Sequence, residues 1–170
     1  MGSGTFQATI GFSANHFQPP RASCFLMKFA EKYFFRHYAL DTALKASLSE
    51  EAGLGVHGNV TIISKENTGQ SVQRVYVWSH ISSRPWGNDV SQQCPHCKRL
   101  RPSSKPRVAK KRKVVKGSTV TVHLIKHMCS FCSYGREFIK HEGLIRDGAM
   151  GERGRGDWYF TCRVLSRDKS

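Results

Sequence analysis

The sequence predicts an α+β protein in which a mainly antiparallel sheet packs on one or two N-terminal helices, with an embedded four-cysteine module. Three observations predict this class. The order strand, helices, hairpin is typical of α+β folds with antiparallel pairing. An apolar content of 39% in 170 residues is enough for a core. Two Cys-x-x-Cys pairs, Cys94 with Cys97 and Cys129 with Cys132, mark the embedded module.

The N-terminal region predicts one strand followed by helices. Residues 5–13 alternate apolar and polar side chains with period two, which is typical of a half-buried strand. After two prolines, Ser23 can cap a helix that begins near Cys24. We interpret its aromatic face as core. Asp41 can cap a second helix or a continuation of the first, and Gly53 is its predicted stop.

Further strands follow from β-branched and aromatic runs separated by turn residues. They are predicted at residues 59–64, 72–80, 118–128, 134–140 and 158–165. We therefore divide the chain into an α+β scaffold (1–89), a zinc-binding module with a basic loop (90–145), and a glycine- and arginine-rich loop whose final strand returns to the scaffold (146–170). The whole is expected to form one compact unit.

Positive charge is concentrated in the second half of the chain. The formal charge is +15, of which residues 1–89 contribute +2 and residues 90–170 contribute +13. No Asp or Glu occurs from Val90 to Arg136. Such asymmetry indicates a near-neutral scaffold joined to a surface for a polyanion. Because the basic residues lie on no amphipathic helix, we expect no membrane partner.

The four paired cysteines predict one structural zinc ion. An x-x spacing lets both thiolates of a pair reach one ion at about 2.3 Å, and two pairs complete a tetrahedron. The start of the chain lacks the basic and apolar regions of a signal peptide, so we expect a reducing, intracellular compartment that keeps thiols available. Cys24 and Cys162 lie in apolar patterns and are expected to be buried core residues.

Residues 94–142 resemble the broad class of zinc ribbons and treble clefs. The gap between the two pairs is about twice the usual 15–20 residues, and the excess is the basic run. His96 and His127 are candidate substitutes for a displaced cysteine. Four thiolates leave no open position for catalysis. Deaminase chemistry is excluded because it needs a His-x-Glu motif, which this sequence lacks.

The basic run predicts contacts with phosphate. Residues 110–114 resemble the monopartite nuclear-import signal of the viral large-T-antigen type, and such runs also bind phosphate directly. The candidate phosphate contacts are Lys98, Arg99, Arg101, Lys105, Arg107, Lys110, Lys111, Arg112 and Lys113.

Tryptophans near arginines are candidates for base recognition. Trp78, Trp86 and Trp158 each stand near a strand end or loop, where a ring beside a cation could stack on a base. For Trp78 and Trp158 core packing competes with this role, and Trp86 beside Arg84 is the least core-like. Residues 153–157, with Arg153 and Arg155, could form a pocket for a modified base.

We therefore expect a nuclear, zinc-containing DNA-binding module without catalysis, for which duplex DNA is a better partner than RNA. Two alternatives from other classes stay open. One is a mobile-element or repair-type nuclease or transposase-associated domain. His57, His80, His123 and His141 could in principle form its general-base site, although the acids are scattered. The other is a chromatin peptide reader or protein-interaction module.

Overall fold

The computed structural model describes residues 8–13, 18–66, 68–100, 106–115, 117–147 and 156–165. Within them the protein is α+β, with eight strands in two antiparallel sheets and three α-helices, which confirms the predicted class. The chain divides into two compact units, residues 1–78 with 143–170 and residues 79–142. We call them the first and the second unit.

The strands and helices have the following bounds. The strands are β1 (Ala8–Ser13), β2 (Asn59–Lys65), β3 (Ser71–Ser79), β4 (Arg107–Val115), β5 (Ser118–Met128), β6 (Gly135–Ile139), β7 (Ile145–Arg146) and β8 (Asp157–Leu165). The helices are α1 (Pro19–Ala30), α2 (Leu40–Ser49) and α3 (Ala52–His57). One sheet has the order β1-β2-β3-β8-β7, so the final strand lies beside β3, and the other has the order β4-β5-β6.

Two prolines are the first residues of α1. Pro19 and Pro20 occupy its first turn, where a missing N–H costs nothing because no intrahelical acceptor exists. The predicted start near Cys24 is therefore too late. Gly53 lies inside α3, so the predicted stop is also wrong, since α2 already ends at Ser49.

Aromatic side chains from the helices and the first sheet form the core of the first unit. Its buried members are Phe25, Phe29, Ala43, Leu44, Leu48, Leu54, Val60, Ile62, Tyr76, Trp78 and Trp158. The indole Nε1 of Trp158 donates to the carbonyl oxygen of Leu48 at 2.7 Å, which fixes β8 against α2. Trp78 and Trp158 are thus core residues.

Two cysteines predicted as core residues are exposed instead. Cys24 and Cys162 are both exposed free thiols. On α1 the buried face is formed by Ala22, Phe25 and Phe29, and Cys24 lies off that face because neighbouring helical residues are about 100° apart. On β8 the last residues are largely exposed on both faces, and Cys162 is among them.

Substitution of Gly55 is expected to destabilise the first unit strongly. A Cβ at Gly55 would overlap Cβ of Trp78 and would lie 2.9 Å from Cη2 of Trp158. Gly55→Ala should therefore lower the free energy of unfolding by about 3 kcal/mol, the upper range for overpacked cores. Urea unfolding followed by circular dichroism measures the change.

Gly53→Ala is the matched control on the same helix. A Cβ there meets only the mobile end of the Arg21 side chain, at 3.0 Å, and alanine favours a helix over glycine by about 1 kcal/mol. We expect its stability to be unchanged or slightly higher. Equal urea midpoints for Gly55→Ala and the unmodified protein would contradict this packing.

The second unit is built on a long β-hairpin, and its basic run is a strand. β4 pairs with β5 from Arg107 opposite Lys126 to Val115 opposite Ser118. Gly117, in the two-residue connection, has φ +82°, a conformation that glycine adopts without steric cost. The predicted basic loop is therefore wrong. β5 places the β-branched residues Val122, Thr121 and Val120 opposite Lys111, Arg112 and Lys113, and this pairing outweighs the low strand propensity of lysine.

Candidate metal centre and basic hairpin

Each Cys-x-x-Cys pair lies in a tight turn, here called a knuckle, and the two knuckles have the same construction. In the first, Lys98 N donates to the Cys94 carbonyl at 3.0 Å, and Cys94 N donates to the Arg99 carbonyl at 2.9 Å. The second repeats both bonds from Cys129, at 3.0 and 2.8 Å. The residue after each pair has positive φ, 59° at Lys98 and 57° at Ser133. The backbone thus presents the two pairs equivalently.

The four sulfur atoms lie close enough together to surround one metal ion. Sγ of Cys94 lies 3.7 Å from Sγ of Cys132, and Sγ of Cys97 lies 3.7 Å from Sγ of Cys129. All four lie within 4.8 Å of one another. A regular tetrahedron with metal–sulfur bonds of about 2.3 Å has sulfur–sulfur edges of about 3.8 Å. The four cysteines are therefore positioned to bind a metal ion.

Backbone N–H groups favour the thiolate form of the first cysteine in each knuckle. The N–H of Cys132 is the main group that lowers the pKa of the Cys129 thiol, to about 6. The N–H of Cys97 is the main group that lowers the pKa of the Cys94 thiol. The pKa of Cys132 rises to about 11, because burial and the neighbouring thiols outweigh the N–H of Tyr134. Four thiolates together therefore need a cation at their centre.

The two histidines near the sulfur cluster make other contacts. Nε2 of His127 donates to the Ile81 carbonyl at 2.8 Å, while its ring packs edgewise on Phe138. The ring of His96 stacks on Tyr134. Among the residues that the structure describes, the four cysteines are the only cluster of three or more potential ligands. The ligand set is therefore four cysteines.

The hairpin carries its cations on both faces. Side chains of residues 107–114 are all exposed. Lys110 and Arg112 lie opposite His123 and Thr121 on one face, and the alternation of a strand places Lys111 and Lys113 on the other. One acid approaches them. Oε2 of Glu137 is 3.7 Å from Nζ of Lys111, so the hairpin remains strongly positive. We call residues 107–115 and 118–128 the basic hairpin.

A cleft opens on β5 and the segment after β6. Its volume is about 280 Å³. It is lined by Val120, Thr121, Val122, His123, Lys140, His141 and Glu142. Two of the four histidines considered as a general base, His123 and His141, therefore meet here, whereas His57 lies on α3 in the first unit and His80 bonds to Ser83.

Arg84 is buried in the second unit and Trp86 is half-buried there. Arg84 is only 7% exposed and its Nε lies 3.3 Å from Oδ1 of Asp89. Burial lowers the pKa of its guanidinium, although Asp89 opposes the shift. The backbone N–H of Trp86 donates to Oγ of Ser79 at 2.8 Å, and Nζ of Lys140 lies 5.8 Å from the centre of the Trp86 ring. Their base-recognition role stays a prediction.

The remaining predicted contacts divide into two groups. Lys98 and Arg99 are exposed on the first knuckle. Four residues lie outside the described part of the chain, namely Arg101, Lys105, Arg153 and Arg155.

Reciprocal contacts between the knuckles were not predicted from the sequence. The His96 ring of the first knuckle stacks on Tyr134 of the second, with ring centres 5.8 Å apart and planes at 10°. In return, the guanidinium carbon of Arg99 lies 4.7 Å above the ring of Phe131. We call these four residues the knuckle ledge. The signal in the sequence was an aromatic or cationic residue at the third and sixth positions of both knuckles.

Comparisons of the chain with family models, curated proteins and solved structures found no match. In the described residues, no helix combines the length and the apolar character needed to span a membrane. A functional proposal therefore depends on the geometry and charge of the site.

Proposed function

We propose that this protein is a non-catalytic nuclear DNA-binding module, in which a structural zinc ion holds the base of a basic hairpin that contacts phosphates. The observation that carries the proposal is the continuity of hairpin and cluster. β5 ends at Met128, and the next residue is the buried ligand Cys129. A metal bound there would fix the orientation of the basic hairpin.

Zinc is the metal that suits this donor set. Soft thiolates select zinc, copper(I) or iron–sulfur clusters, and a closed tetrahedral set of four cysteines is the usual structural zinc site. The two knuckles with the sheet β4-β5-β6 support the resemblance to a zinc ribbon. Because no coordination position would be open, the ion would stabilise the unit without activating water.

DNA suits the shape and charge of the basic hairpin. The major groove of B-DNA is about 12 Å wide and admits a two-stranded β-ribbon. Cations on both faces of a ribbon can reach the phosphates on both sides of that groove. Among the residues that the structure describes, the candidate phosphate contacts are Lys98, Arg99, Arg107, Lys110, Lys111, Arg112 and Lys113. The resemblance of residues 110–114 to an import signal supports a nuclear location.

Affinity for duplex DNA should fall steeply with salt. If about six phosphates are neutralised, the slope of log K against log salt concentration is about −5, because each contact releases counterions. Fluorescence anisotropy of a labelled duplex, titrated between about 50 and 200 mM salt, measures this slope. Affinity that is independent of salt over this range would contradict phosphate contacts.

Two further arms of this experiment test the alternatives. Incubation with plasmid DNA and magnesium would reveal cleavage if the protein is a nuclease. Binding of histone-tail peptides that exceeds binding of DNA would favour a peptide reader. We expect intact plasmid and no peptide preference.

A further inference from the structure

We propose that the knuckle ledge stacks unpaired nucleotide bases, so that the target of this protein contains a single-stranded segment. The inference rests on the proposed function, because it adds a second kind of contact to the phosphate contacts of the basic hairpin. It concerns residues outside the hairpin, namely His96, Arg99, Phe131 and Tyr134, of which Arg99 is also a candidate phosphate contact. Its failure would leave the phosphate contacts untouched.

The ledge exposes aromatic surface that the core does not use. Phe131 is 55% exposed and Tyr134 is 40% exposed. Each ring already has one partner from the opposite knuckle, Arg99 or His96. A planar base could extend either pair by one layer, as bases do on aromatic side chains in proteins that bind single strands.

Backbone hydrogen bonds fix the two knuckles, and each aromatic ring of the ledge has a contact from the opposite knuckle. The Tyr134 carbonyl accepts the N–H of Cys129 at 2.8 Å, and the Arg99 carbonyl accepts the N–H of Cys94 at 2.9 Å. Phe131 lies between the two cysteines of its pair. Little conformational freedom would therefore be lost when a ligand is bound, which favours affinity.

The charge around the ledge favours a polyanion over a protein surface. Residues 90–136 contain no acid, and Lys98, Arg99 and Arg136 are exposed near the knuckles. The ledge also belongs to the same unit as the basic hairpin. A single strand offers both a π-face at every base and a phosphate at every step, so it matches the two features together.

A comparison of two oligomers with equal charge tests the proposal. The zinc-loaded full chain is titrated with an oligothymidylate of about 12 nucleotides, within the usual site sizes, and with an abasic oligomer that has the same number of phosphates. Stacking contributes about 5- to 150-fold in affinity per base. We therefore expect the oligothymidylate to bind at least about tenfold more tightly.

Variants connect this preference to the ledge. Phe131→Ala with Tyr134→Ala should remove the preference, while affinity for the abasic oligomer and the zinc content stay unchanged. Phe131→Trp should keep the preference, and its added fluorescence should be quenched by the oligothymidylate. The matched control, Phe34→Ala with Phe35→Ala, removes two exposed rings of the first unit and should bind like the unmodified protein.

Three results would overturn the inference. One is equal affinity of the unmodified protein for the two oligomers while duplex binding remains salt-dependent, which would leave the proposed function standing. Another is a preference that persists in the double alanine variant. The last is the absence of binding to any nucleic acid, which would overturn the proposed function as well.

Discussion

Removal of the metal is expected to unfold residues 79–142 and to abolish nucleic-acid binding. Among the described residues of this unit, only three large aliphatic or aromatic side chains are buried, Leu124, Ile125 and Phe138, beside the two buried cysteines. Such a small core supplies little stability. A structural zinc site contributes about 10–16 kcal/mol at neutral pH, so the fold of the unit should depend on the ion.

Chelation of the purified full chain measures this dependence. Elemental analysis should find one zinc ion per chain before chelation, and the circular dichroism of the second sheet should be lost afterwards and return when zinc is added. The affinity for duplex DNA should follow the metal content. A chain that is purified without chelators and contains no zinc would contradict the prediction.

The variant Cys129→Ser distinguishes loss of the metal site from other effects of the chelator. It removes a buried ligand whose pKa is already lowered, so zinc affinity should fall by at least about 100-fold, a size that even outer-shell changes reach. Cys162→Ser is the matched control, because this thiol is exposed and lies on β8 in the first unit. Equal zinc affinity of the two variants, measured by competition with a chelator, would rule out the four-cysteine site.

The sequence predicts well what depends on local pattern. β5 has the predicted bounds, residues 118–128, because alternating β-branched side chains define a strand without help from the rest of the chain. Each half of the metal cluster is also predictable from local sequence, since the Cys-x-x-Cys spacing already brings the two sulfurs of a pair together. The meeting of the two pairs follows from the preference of metals for four thiolates.

Features that depend on pairing between distant segments were not predictable in this way. Residues 107–115 indicate a strand only weakly, because five of the nine residues are lysine or arginine, and the register with β5 establishes it. The knuckle ledge likewise joins His96 to Tyr134 across 38 positions of sequence. The exposure of Cys24 depends on which face of α1 is buried. The position of Cys24 next to Phe25 in the sequence did not indicate that face.

Removal of three hairpin charges is expected to weaken DNA binding by roughly 10²- to 10³-fold at about 0.1 M salt. The variant is Lys110→Gln, Arg112→Gln and Lys113→Gln. It spares Lys111, which already lies near Glu137. Glutamine removes the charge but remains polar, and these residues are exposed, so folding should be unaffected. The salt slope should become shallower by about 2.7, or about 0.9 for each lost contact.

Net charge alone could weaken binding, and a control variant with the same net charge separates the two causes. Arg21→Gln, Lys65→Gln and Arg163→Gln remove three exposed charges from the first unit. None of the candidate phosphate contacts that the structure describes lies in the first unit, and attraction between charges that are not in contact is screened beyond about 8–10 Å at physiological salt. We expect this control to lose less than about tenfold in affinity and to keep the salt slope, since no phosphate contact is removed. Equal losses in the two variants would show that the basic hairpin has no special role and that only the charge of the whole protein attracts DNA.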